Sequence, residues 1–146
     1  MWRTLTEADL LGVLNASETA AYQGAAIGDG QDVLADALAL VVNQCRGYIA
    51  DNSVNQLAEG LTLPERVHLS ALHLVRVEML TRLDMEVSKD RESAKRDAIR
   101  FFERVSDGRV AIEQPTGTIE TSGAVQTIKV LSNNERQATR QKLSGL

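Results

Sequence analysis

Aromatic residues are scarce in this 146-residue chain: Trp2, Tyr22, Tyr48, Phe101 and Phe102 are all it has. A core must therefore be filled mainly by Leu, Val, Ile and Ala, side chains that suit helices. Cys45 is the single cysteine, so no internal disulfide can form and the fold does not rely on an oxidising compartment. Proline occurs only at Pro64 and Pro115, which leaves long stretches free of helix breakers. No apolar run is long and uncharged enough for a membrane span, and no basic start leads into an apolar run, so neither membrane insertion nor a secretory signal is expected.

Basic charge is nearly missing from the first half. Residues 1–64 hold eight acids against Arg3 and Arg46, a balance of −6. Residues 65–83 balance at +1, residues 84–109 at zero and residues 110–146 at +1, which together give −4. An acidic half argues against a general nucleic-acid binder. By itself it reads as ordinary solvated surface.

Chemical motifs are absent as well. There is no GxSxG, no Walker loop, no HExxH, and no GxGxxG following a strand. His68 and His73 lie five apart and face different ways on a helix, so they make a poor metal pair. Cys45 sits on an apolar stripe without a basic neighbour, which reads as a buried small side chain rather than a reactive thiol. These observations predict no enzyme, no cofactor and no metal.

What is present is helical periodicity. Thr6 and Asp9 have the spacing of a capping box and open a short helix carrying Leu10, Leu11, Val13 and Leu14. Asn15 to Ser17 reads as a break and a new cap, with Glu18 in the first turn of a second helix running to about Ile27. Gly28-Asp29-Gly30 breaks the chain. A third helix from about Gln31 to Asp51 repeats apolar residues at steps of three and four: Val33, Leu34, Ala37, Leu38, Val41, Val42, Cys45, Tyr48 and Ile49. Residues 51–63 read as a loop that Leu57 and Leu61 tuck down.

The stretch Pro64 to Leu83 predicts a long central helix, with Thr62 as N-cap, Glu65 completing a capping box and Pro64 in the first turn. Its apolar residues, Leu69 among them, cover so much of the circumference that neighbours should pack on more than one side. Ser88 should cap a last helix from Lys89 to about Ser106, with a narrow apolar stripe of Ala94, Ala98, Phe101 or Phe102, and Val105. Its many charges read as a solvated face, with a neighbour-facing side as the other reading. Asp107-Gly108 ends the helical part.

Composition then turns to Thr, Ser, Gly, Gln and Asn. Val110 and Ile112, and then Ile128 and Val130, alternate with polar residues as short strands or a hairpin would. Residues 132–146 are polar and close on Leu143 and Leu146. So few apolar groups cannot form a core alone. This part is either an unstructured tail or an arm that orders against another subunit, and the alternating stretches and apolar terminus favour the arm. The expected fold is mainly α: a compact bundle of four to five helices around a long central helix over residues 1–108, with an extended arm over 109–146. The residues expected to meet a partner are Val110, Ile112, Ile128, Val130, Arg136, Arg140, Lys142, Leu143 and Leu146.

The order of elements resembles the phage head–tail connector (adaptor, head-completion) proteins, in particular the Mu-like prophage branch. The resemblance rests on short N-terminal helices, Arg46-Gly47-Tyr48-Ile49 in an amphipathic helix, a Pro-led central helix with an Arg near its middle, a charged helix ending in Asp107-Gly108, and the closing run from Thr139 through Arg140, Gln141, Lys142 and Leu143 to Ser144-Gly145-Leu146. Similar sequences often carry an aromatic where this chain has Val77 and Ala138. The resemblance implies a structural virion protein, made in the bacterial cytoplasm and placed at the head–tail interface. It implies a homo-oligomeric, twelvefold ring bound to the portal protein and to the next neck or tail protein (stopper or tail terminator). DNA would pass through the channel without sequence-specific binding, and by the same analogy the acidic first half would line that channel as a wall that repels DNA. The competing class is a small intracellular helical regulator. A DNA-binding version would need a basic helix near residues 6–27, and only Arg3 lies close to that stretch.

Overall fold

The computed structural model describes residues 1–25 and 33–117. The protein is mainly helical. In chain order the elements are strand β1 (Trp2–Thr4), α1 (Glu7–Leu11), α2 (Ala16–Ala25), α3 (Val33–Asp51), strand β2 (Thr62–Pro64), a 3-10 turn (Glu65–Val67), α4 (His68–Arg82) and α5 (Lys89–Ser106). The expected end of the second helix near Ile27, the break at Gly28–Gly30 and the start at Gln31 lie outside the described residues.

Local chemistry starts the first two helices as the sequence predicts. The Thr6 hydroxyl accepts from the Asp9 amide, and the Asp9 carboxylate accepts from the Thr6 amide at 2.9 Å. Arg3 adds a bond to the same carboxylate at 2.8 Å. Asn15 and Glu18 repeat the arrangement at α2: each side chain accepts from the other's amide at 2.8 Å. Ser88 stands at the N-cap of α5 as expected, but without a side-chain capping bond. At the other end Gly108 has φ +74, a left-handed conformation that favours glycine. Its amide donates to Val105 and that of Arg109 to Arg104, the Schellman pair that closes a helix.

Helices α3, α4 and α5 pack against one another and hold the core. Helix α3 contributes Leu34, Ala37, Val41, Val42, Cys45 and Ile49, the stripe read from its sequence. Helix α4 buries side chains around most of its girth, from Ala71 to Leu80, and is the central helix expected. Helix α5 lends only Ala98, Phe102 and Val105 as fully buried groups. The rings of Tyr48 and Phe102 stack at 5.8 Å across the α3–α5 seam.

Three sequence readings need correction. The central helix does not begin at Pro64, and Thr62 is not its cap. Thr62 to Pro64 form β2, antiparallel to β1, with Trp2 opposite Pro64 and Thr4 opposite Thr62. The start of the chain supplies a strand partner, and the Thr62 hydroxyl donates to the Glu59 carbonyl instead of capping. Leu57, Leu61 and Leu69 are exposed rather than tucked in. The loop is fastened by Arg46, whose guanidinium donates to the carbonyls of Ala58 and Thr62 at 2.8 Å each.

The third correction concerns residues 110–116. Val110 and Ile112 are 7% and 8% exposed and belong to the body's core. No strand is formed there among the described residues. The stretch is fixed instead by Trp2 Nε1 donating to the Glu113 carbonyl at 2.8 Å and Arg66 donating to the Ala111 carbonyl at 2.9 Å. The Met1 amino group also pairs with the Glu113 carboxylate. The compact body is thus Met1–Thr116, eight residues longer than the expected 1–108.

Candidate functional site

The charge that the sequence hid best is inside the body. Arg76 lies midway along α4 on its buried side, 4% exposed. A buried guanidinium must be paired, because an isolated buried charge is strongly disfavoured. Its partner is Glu18 of α2. Arg76 Nε donates to Glu18 Oε2 at 3.0 Å, and Arg76 Nη2 bonds the same oxygen. Arg91, near the start of α5, donates through Nε to Glu18 Oε1 at 3.1 Å. The Asn15 amide also reaches Oε2. One carboxylate therefore joins α2, α4 and α5.

Burial alone would raise the Glu18 carboxyl. The bonds from Arg76, the Asn15 amide and Arg91 outweigh it and hold the group below its ordinary range. His73 stands one turn before Arg76 on α4. Burial lowers its affinity for a proton, and the Arg76 and Arg91 charges lower it further, so the imidazole takes up a proton less readily than an ordinary histidine. Both Glu18 oxygens are engaged by guanidinium groups. This arrangement fixes charge and helix position; it does not poise the carboxylate for proton transfer.

His73 also borders a groove of about 580 Å³ between α4 and α5. Leu69, Ala94 and Phe101 give it an apolar lining, and Asp97, Arg100 and Arg104 stand among its walls. Leu69 is 60% exposed there. A shallower hollow of about 250 Å³ lies on α3, lined by Gln44, Gly47, Tyr48 and Asp51. Cys45 is fully buried, and desolvation pushes its thiol up to about 12, so it is held as the unreactive thiol. Among the described residues, no group of three or more His, Cys, Asp or Glu side chains is placed to hold a metal ion. No helix among them is long and apolar enough to cross a membrane.

Of the residues expected to meet a partner, Val110 and Ile112 are in the core described above. Ile128, Val130, Arg136, Arg140, Lys142, Leu143 and Leu146 lie outside the described residues. Sequence reasoning missed the Glu18 cluster. The available signal was Arg76 itself, a charge interrupting the apolar arc of α4, together with Glu18 three residues after Asn15. Compared with known proteins, the chain matches no family model, no curated protein and no solved structure.

Proposed function

We propose that this chain is a structural subunit of a phage head–tail connector: an adaptor that forms a ring at the portal vertex, joins it to the next neck or tail protein, and leaves a channel for DNA. The observation that carries this reading is the division of the chain. Residues 1–116 form a compact body that fills its own interior with helix and strand side chains. Residues 117–146 are a separate unit whose sequence is too polar for a core of its own. A self-sufficient body followed by such a segment suits a protein whose work is attachment. Extended segments commonly join subunits by strand addition. On this reading Arg136, Arg140 and Lys142 pair with acidic groups of a partner, and Leu143 and Leu146 supply apolar anchors.

The test is the copy number and position of the protein in purified particles, by quantitative mass spectrometry with cryo-EM of the neck. About a dozen copies at the portal vertex is the expected outcome, as for a closed ring of identical subunits. Absence from mature particles would remove the adaptor reading.

A further inference from the structure

Two exposed features of the body complement each other. The first is the α4–α5 groove, with an apolar lining, the exposed Leu69 and the charged groups of Asp97, Arg100 and Arg104, of which Arg100 lies 3.8 Å from Asp97. Helix α5 as a whole carries six bases against four acids. The second is the outer stripe of α3. Asp36, Leu40, Gln44, Gly47 and Asp51 follow one another at steps of four, four, three and four, so they share a face, and all are exposed. Leu40 is 51% exposed near the N-terminal end of that stripe, an apolar knob with an acid one turn before it. Nothing stands within 4 Å of where a Gly47 side chain would project, so this face is open to close approach.

The stripe belongs to the half of the chain that carries eight acids and two bases, and the groove carries two arginines against one aspartate, with Arg104 clear of the Asp97–Arg100 pair. In a bundle of three helices packed pairwise, the outer face of one points away from the groove between the other two. The knob and the groove therefore cannot meet within one molecule. They also cannot satisfy each other in a symmetric dimer through a single patch. We infer that the α3 stripe of one copy, led by Leu40 and Asp36, seats in the α4–α5 groove of the next copy. Such a contact is heterologous and propagates until the rotation closes a ring. The inference deepens the adaptor reading by naming the surface through which neighbouring bodies meet.

The test uses the full-length chain and two exposed substitutions, Leu40→Asp and Leu69→Asp, each checked for native circular dichroism and thermal midpoint. Sedimentation velocity across a concentration series reads self-association. Wild type is expected to associate with rising concentration. Each variant alone should weaken that association at least about a hundredfold, as loss of a central apolar anchor does. An equimolar mixture of the two should recover a heterodimer and stop there, because the pair retains one intact knob and one intact groove. Arg104→Glu should weaken association too, and Asp36→Arg on the facing copy should restore part of it. A wild-type chain that stays monomeric throughout, variants that associate like wild type, or a mixture that recovers nothing would each overturn the inference. A ring seen at the portal vertex alongside unaffected variants would remove this surface and leave the adaptor reading in place.

Discussion

Glu18 is the residue through which α2, α4 and α5 share one charge cluster. Its carboxylate accepts from the Asn15 amide at the start of α2, pairs with Arg76 and accepts from Arg91. A buried ion pair adds little net stability compared with an apolar pair of similar size, but removing one partner strands the other charge. Glu18→Ala should therefore cost about 3–5 kcal/mol in urea unfolding. The double change Glu18→Leu with Arg76→Met should recover much of that loss, because no central charge remains to be solvated. Arg91→Ala should cost less, about 1 kcal/mol, since Arg91 is partly exposed and Arg76 still neutralises the Glu18 carboxylate.

The same residues set the response to acid. His73 binds a proton less readily in the folded chain than at its ordinary value of 6.5, so below that pH the unfolded chain takes up more protons. Stability should then be level above about 6.5 and fall as pH drops through the window below it. Glu18 and Asp9 are both held below their ordinary values of 4.5 and 3.8, so their contributions are present above those values and are lost on further acidification. Chemical denaturation across this pH range checks the sign. His73→Gln should remove the first stage and leave the second; an unchanged first stage would show that His73 does not cause it.

At the scale of elements, the helices differ in how they are held. Helix α3 is bound through a continuous apolar stripe. Helix α2 buries only Glu18 and Tyr22, and the Tyr22 hydroxyl donates to Glu7 at 3.1 Å. The ionic cluster thus takes the place that apolar side chains hold in α3. The stretch after α5 behaves as part of the body. Val110 and Ile112 are buried, and each such side chain contributes about 1.5–3 kcal/mol. A chain ending at Thr116 should keep the thermal midpoint of the full-length protein. One ending at Arg109 should lose about 3–6 kcal/mol and lie near the limit of stability. Equal stability of the two truncations would contradict the core position assigned to Val110 and Ile112.

For the whole molecule, the two truncations separate folding from attachment. On the adaptor reading, the chain ending at Thr116 folds yet fails to join particles, because the polar segment that follows is the part proposed to hold the portal or the next neck protein. Incorporation of that shortened chain at normal copy number, measured by quantitative mass spectrometry, would shift the attachment to the body surface. The α3 stripe and the α4–α5 groove would then be the first surfaces to alter.

Much of the secondary structure was readable because its causes are local. The Thr6–Asp9 and Asn15–Glu18 caps, the α3 stripe and the Gly108 stop each depend on residues within a turn or two, and the sequence determined them. The predominance of helix followed for the same reason. Tertiary structure alone decided what happens between distant segments. Whether Thr62 caps a helix or joins a strand depends on β1 arriving from the far end of the chain. Whether Arg76 is a surface charge or a buried one depends on Glu18, 58 residues away. Whether Val110 and Ile112 join an arm or the core depends on the body that distant segments build, with Trp2 and Arg66 holding the stretch in place. Periodicity can say that a side chain is apolar or charged and which face it shares. The partner that face meets is fixed only when the helices pack, because burial and charge pairing are properties of two surfaces together.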